Sequence, residues 1–334
     1  LIGGAIKREQ VMARRATLLF ALASSLLAEH VMSAAPGAPP VAEDRASMVE
    51  RINRWRAQLP QGSGPYQVVR LIEPDFPEHT IYRPADMRRA GKLPIIAFAN
   101  GACRNTSTEY AAFLSELASH GYLVIAVGRD DQPFDMGPNA KAAPDGRPLQ
   151  VMDEKVMMAG VDWAIARNAD RRSLYHGHIV TNRIAYMGHS CGGMQALTAG
   201  ADPRATTTVV LNSGYYRTIP AKPPGPLPAY RRWSELHTPT LILTGGPSDV
   251  AYKIARDSYE DGVAAKLPMF LASLPTVAHG GAYVKPDPEW SRAVLGWLDW
   301  QLKGDRKARA QFIGKHCGLC TNSAWQDVAG HGLR

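Results

Sequence analysis

The sequence predicts one large α/β domain built on a mostly parallel sheet, and two observations predict it. Strand-like and helix-like segments alternate from about Leu93 to Gly304, and the strands among them are unbroken apolar runs of the kind covered on both faces. A chain of 334 residues with 45% hydrophobic content is long enough to bury the core this requires.

The N-terminus differs in kind. Arg14 and Arg15 precede the apolar run TLLFALASSLLA, residues 17–28, and then SAAPGAPP, with a cleavage zone near Ala34 or Ala35. A charged region, a short apolar region and small residues together describe a secretory signal peptide. The apolar run has 12 residues, short of the ~20 needed to span a bilayer. Residues 1–35 are therefore read as signal peptide and upstream residues, with an uncleaved membrane anchor as the alternative and an upstream translation artefact as one reading of the residues before Met12. The expected destination is secreted or periplasmic, without stable membrane insertion after cleavage.

Residues 36–65 read as a Pro/Ala-rich linker and an amphipathic helix, AEDRASMVERINRWRAQL, with Met48, Ile52 and Trp55 on related turns before the break QGSGP. The main domain is assigned to 66–304. YQVVRLIE and HTIYRP are early strands around a turn containing Pro74 and Pro77. LPIIAFAN (93–100) is a buried strand, STEYAAFLSELASHG a helix stopped by Gly121, and YLVIAVG (122–128) the next strand. After a Pro/Gly/Asp-rich loop to about 150, VMDEKVMMAGVDWAIARNA is helical, RIAYMG (183–188) a strand and CGGMQALTAG a helix. TTTVVLN (206–212), PTLILTG (239–245) and PMFLASL (268–274) are further strands; helices follow over 250–265 and at EWSRAVLGWLDWQLKG. The Pro-rich connection from Ser213 to Thr238 has 26 residues, too few for a large lid domain, so an open cleft is expected. Residues 305–334 are assigned to a C-terminal tail packed on the domain.

The formal charge is +8, and removing residues 1–35 takes away four cationic and two acidic side chains, leaving +6. Only KGDRKAR, residues 303–309, is dense in charge, which reads as a solvated helix end and not as a nucleic-acid stripe with interleaved aromatics. Nucleic acid is not an expected partner. HGH at 176–178 lacks a suitably spaced carboxylate, so no metal is expected.

The chemistry-bearing segment is YMGHSCGGMQAL, residues 186–197. With 30 glycines in the chain, G-x-S-x-G arises by chance in roughly one such chain in seven, so context decides. Ser190 stands between a strand and a helix, as a nucleophile elbow requires, although a serine N-cap would occupy the same place. A serine hydroxyl needs a base, and the base needs an orienting acid. Asp249, in GGPSDV after the strand LILT, and His279, in VAHGG after MFLASL, follow in the order Ser, acid, His, each on a loop beyond a strand end. Asp249 has helix capping as its ordinary alternative. The oxyanion donors expected for this arrangement are the backbone N–H of Cys191 and that of Ala102, in the loop Asn100-Gly101-Ala102-Cys103.

Four cysteines suit an exported protein with up to two disulfides. Cys317 and Cys320 either close a small loop that pins the tail, form half of a zinc site, for which no second pair exists, or serve redox catalysis, for which the strand-then-helix setting is lacking. Cys103 and Cys191 flank the expected oxyanion hole, either as a disulfide that stiffens it or as two small buried thiols.

The segments FLSELASHGYLVIAV, GHSCGGMQAL, LILTGGPSDV and AHGGAY resemble the α/β-hydrolase superfamily from about Leu93 to Gly304, specifically its lipase, dienelactone-hydrolase, chlorophyllase-like and cutinase-like polyester-hydrolase branches. The resemblance implies an α/β-hydrolase fold, with Ser190 as nucleophile, His279 as base, Asp249 as orienting acid, and Ala102 with Cys191 as oxyanion hole. Bacterial polyester hydrolases usually have Met where Cys191 stands and an aromatic where Ala102 stands. Tyr215 and Tyr216, with Trp233, are candidates for an aromatic wall against an acyl or aryl group, with buried packing as the alternative. The expectation is a secreted, cofactor-free serine hydrolase acting on carboxylic esters, small or polymer-attached. An amidase or peptidase using the same residues and a non-catalytic binding module are the alternatives.

Overall fold

The structure, a computed structural model, describes residues 45–130, 153–219, 230–284 and 286–334. The expected export segment, the linker, nearly all of the loop expected before residue 150 and the centre of the Pro-rich connection lie outside the described residues.

A nine-stranded sheet organises these residues: β1 (Val68–Leu71), β2 (His79–Pro84), β3 (Leu93–Ala99), β4 (Leu123–Val127), β5 (Ile179–His189), β6 (Thr207–Leu211), β7 (Thr240–Thr244), β8 (Met269–Ser273) and β9 (Gln326–His331). Their spatial order is β1-β2-β4-β3-β5-β6-β7-β8-β9. Strands β3 to β8 run parallel, while β1, β2 and β9 pair antiparallel at the two edges. This is the mostly parallel sheet that the alternation predicts. Strand β5 begins earlier than RIAYMG, because Ile179 and Val180 pair with Leu93 and Pro94 before a register shift in β3.

Side chains alternate across each strand, so one run of apolar residues feeds two cores. Ile96 and Phe98 of β3, with Met187, Val209, Leu241 and Phe270, pack under α3 (Ala111–Ser119) and α8 (Pro288–Lys303). Their neighbours Ile95 and Ala97 join Ile184 and Tyr186 against α4 (Glu154–Ala169). On that second face Val210, Ile242 and Leu271 pack with α5 (Cys191–Ala199) and α6 (Tyr252–Ala264). The closing helix α8 starts where it does because the Asp287 carboxylate accepts the N–H groups of Glu289 and Trp290, and Pro288 needs no donor there. Trp290 and Trp297 are then fully buried against the sheet.

Arg45–Arg334 is one compact unit, which includes α1 (Arg45–Ala57) and the tail. Ile52 of α1 is fully buried, and Trp55 packs against the core under α3 and α8. The tail, beyond α9 (Arg306–Arg309) and α10 (Gly318–Thr321), supplies β9 against β8. Its exposed and half-exposed side chains carry no apolar alternation; cross-strand pairing defines the element. Two shorter helices, α2 (Met87–Ala90) and α7 (Gly281–Val284), complete the α-helices among the described residues. No helix among the described residues is long and apolar enough to cross a membrane.

Candidate active site

Ala102, Ser190, Cys191, Asp249 and His279 lie beyond the C-terminal ends of parallel strands, where open α/β sheets gather their ligands. Ser190 follows β5 directly and has φ 53° and ψ −122°, a sharp turn that an L-residue adopts only under constraint. The constraint is visible. A Cβ on Gly188 would lie 2.1 Å from the Gly192 carbonyl oxygen, and one on Gly192 2.2 Å from that of Ala99, so only glycine lets strand, turn and helix approach this closely. The Ser190 N–H donates to Leu211 O at 2.9 Å, and the Ser213 hydroxyl donates to Ser190 O at 2.5 Å, tying the turn to the end of β6.

The Ser190 side chain caps no helix amide; its Oγ lies 3.1 Å from His279 Nε2. His279 Nδ1 lies 2.6 Å from Asp249 Oδ1. Because a carboxylate only accepts, Nδ1 carries the proton, and in the neutral ring Nε2 is left to accept from serine. Asp249 is fully buried at its side chain, while His279 is about one-third exposed. Besides His279, the carboxylate accepts from Ala251 N–H (2.8 Å), Asn212 Nδ2 (2.7 Å), the Thr244 hydroxyl (2.7 Å) and Gly245 N–H (3.0 Å). Burial alone would raise its pKa, but the donors from His279, Gly245, Ala251 and Asn212 outweigh it and hold the carboxyl well below the usual range. Asp249 does contact one amide ahead of α6, the capping alternative, but that is a single one of its five partners.

The loop after β3 is a tight turn, Gly101–Cys103, in which Ala102 (φ 54°) and Cys103 (φ 50°) are both left-handed. Asn100 holds its base, donating from Nδ2 to Arg104 O at 2.9 Å and Val127 O at 2.6 Å. Cys191 is the first residue of α5, where helix geometry points N–H groups out of the helix start. A disulfide joins Cys103 to Cys191 with Cα atoms 5.2 Å apart, cross-linking the loop to the helix start. A second joins Cys317 to Cys320. Among the described residues no cluster of His, Cys, Asp or Glu is arranged to hold a metal ion.

Tyr215 takes the packing alternative. It is 5% exposed, its hydroxyl pairs with Thr198 Oγ1 at 2.7 Å, and its ring stacks on Tyr230 with centroids 4.4 Å apart and meets Trp233 edge-on. Tyr216 and Trp233 are partly buried against the same cluster.

Four residues of the site escaped the sequence reading. Asn212, left-handed at φ 48°, donates from Nδ2 to both Asp249 Oδ2 and Ala278 O (2.8 Å), and its Oδ1 accepts from the Tyr283 hydroxyl at 2.6 Å. His189 and Tyr110 pair at 2.8 Å beneath the elbow. The pairs just named lie 37 to 79 positions apart in the chain, and no local motif links them. The sole signal was the polar His189 in an otherwise apolar strand end.

A family model described as PETase, PET hydrolase-like, matches residues 56–259, well over half the chain. The chain belongs to this family. Its matched stretch contains Ser190 and Asp249 and ends before His279. The family match identifies the architecture as the α/β-hydrolase fold of the cutinase and polyester-hydrolase branch. A cutinase, est1, of Thermobifida alba is 26% identical over 200 residues, which cover 57% of this chain and 55% of that protein. The chain thus spans about half the length of the relative it matches.

Proposed function

We propose that the protein is an exported carboxylic ester hydrolase working through Ser190, His279 and Asp249. The observation that carries this reading is the unbroken line from Ser190 Oγ through His279 to a buried, ionised Asp249, at 3.1 and 2.6 Å. Family membership supports ester chemistry, and the cutinase relative brings polyesters into the candidate substrate class.

As Ser190 Oγ attacks the ester carbonyl, His279 Nε2 takes its proton, and the Asp249 carboxylate stabilises the imidazolium. The developing oxyanion is held by the N–H groups of Cys191 and Ala102. His279 returns the proton to the leaving alcohol, and water releases the acyl group from Ser190 by the same steps. No cofactor enters. Export rests on the signal-like segment before residue 36 and on two disulfides that suit an oxidising compartment.

The test is fluorophosphonate labelling of the wild type and Ser190→Ala, followed by short acyl nitrophenyl esters, anilides and a polyester film. Labelling of wild type alone, with ester turnover falling by roughly 10³-fold or more in the variant, is expected. An unlabelled wild type contradicts enzyme function, and anilide turnover equal to ester turnover makes the protein an amidase.

A further inference from the structure

Beneath the elbow runs a buried chain of hydrogen bonds for which the proposed mechanism has no use so far. The Gly101 N–H donates to the Tyr110 hydroxyl oxygen at 2.8 Å. The Tyr110 hydroxyl pairs with His189 Nδ1 at 2.8 Å, and His189 Nε2 lies 2.6 Å from His279 O. A carbonyl oxygen only accepts, so Nε2 carries the proton, Nδ1 of the neutral ring accepts, and Tyr110 donates to it. Every donor and acceptor role along the chain is thereby fixed. Tyr110 is 1% and His189 8% exposed, and the Tyr283 ring packs on both, with centroids 5.4 and 4.5 Å away.

We infer that Tyr110 and His189 are positioning residues for ester hydrolysis, one hydroxyl and one imidazole coupling the oxyanion loop to the backbone of His279. This rests on the hydrolase reading above and adds a determinant of turnover to it. At the loop end, Tyr110 holds the Gly101 N–H while the Gly101 carbonyl accepts from Arg104 N–H at 3.2 Å. A trans peptide is planar, with C=O and N–H on opposite sides, so gripping the Gly101 carbonyl aims the Ala102 N–H the other way. At the base end, His189 holds the His279 carbonyl and Asn212 the preceding one, Ala278 O. The Cα of His279 is thus fixed from both sides, and with it the reach of Nε2 to Ser190, the residue next to His189.

Two further observations agree. A Cβ at position 101 would lie 2.9 Å from both the Tyr110 oxygen and His189 Nδ1, so any side chain there would have to displace the relay. Burial, and then the charge of nearby His279, push the His189 pKa down to about 3, so the ring stays neutral and its tautomer unchanged at the pH of any esterase assay.

The experiment compares the full-length wild type with Tyr110→Phe, His189→Gln, the double variant and Ser190→Ala. Nitrophenyl acetate kinetics, fluorophosphonate inactivation rates and thermal melts are measured on each. Tyr110→Phe keeps the ring and removes the node; glutamine can keep an Nε2 donor for His279 O but has no acceptor at the Nδ1 position that Tyr110 meets. The expected result for folded Tyr110→Phe is kcat and inactivation rate lower by about tenfold with KM within twofold, since loss of position acts on the transition state. The double variant should lose no more than the worse single one, as members of one relay do. Labelling of wild type together with unchanged kcat, a loss confined to KM, or multiplicative losses overturns the relay and leaves the hydrolase reading standing. An unlabelled wild type overturns both. If Tyr110→Phe does not fold, His189→Gln decides by the same kcat and KM criteria.

Discussion

Five hydrogen bonds converge on the Asp249 carboxylate, and they explain why its pKa is lowered despite burial beside the His279 ring. Asn212 is the most informative to remove, because one amide serves both Asp249 Oδ2 and Ala278 O. A hydrogen bond to a charged group contributes about 1.5–3 kcal/mol. Asn212→Ala should therefore lower kcat/KM about 10- to 100-fold and move the acid limb of its pH profile upward, as Asp249 loses a donor; an unchanged profile would remove Asn212 from the site. The sequence made Ser190, Asp249 and His279 legible because each sits at a strand end in a fixed chain order. It left Asn212, Tyr110 and His189 dark because their roles exist only once β3, β5, β6 and the His279 loop lie side by side.

At the scale of elements, the decisive contact is the disulfide between the turn after β3 and the first residue of α5. The two segments that would supply the oxyanion donors are 88 positions apart in the chain, and closing a loop of that length stabilises a fold by about 4.6 kcal/mol in the chain-entropy account. Replacing Cys103 and Cys191 together with serine should lower stability by about that amount in urea denaturation, and should lower kcat more than it changes KM, because Ala102 and Cys103, left-handed in the tethered turn, lose the bond that helps hold them there. Equal stability and kcat would make the bond incidental. The pairing was one of two readings of the sequence, since neighbouring loops can be inferred from order along the chain while a bond between them needs Cα atoms within reach. β9 was illegible for another reason: an edge strand with half-exposed residues has no buried face to pattern, and β8 alone dictates its place.

For the whole molecule, titrating groups shifted by burial and hydrogen bonding should set the acid limit. Burial, opposed by a hydrogen bond to Val156 O, lowers the His79 pKa from 6.5 to about 4, and His189 is lowered to about 3. Glu116 falls from 4.5 to about 2, chiefly through its hydrogen bond with His120 and, despite burial, those from Ser63. Below pH 6.5 the unfolded chain takes up histidine protons that the folded chain refuses, so stability is greatest above that pH and declines down to about pH 3, with Glu116 adding loss between about 4.5 and 2. Urea midpoints measured from pH 7 to pH 4 should fall steadily, and His79→Gln should flatten the decline; a flat wild-type curve would deny the buried neutral histidines.

The most direct measurement of the central claim is the mass of the peptide containing residues 186–197 after the intact protein reacts with a fluorophosphonate at neutral pH. The account predicts one adduct per chain, on Ser190, blocked by Ser190→Ala and strongly slowed by His279→Gln. An adduct on another serine, or none on a folded chain, would contradict it.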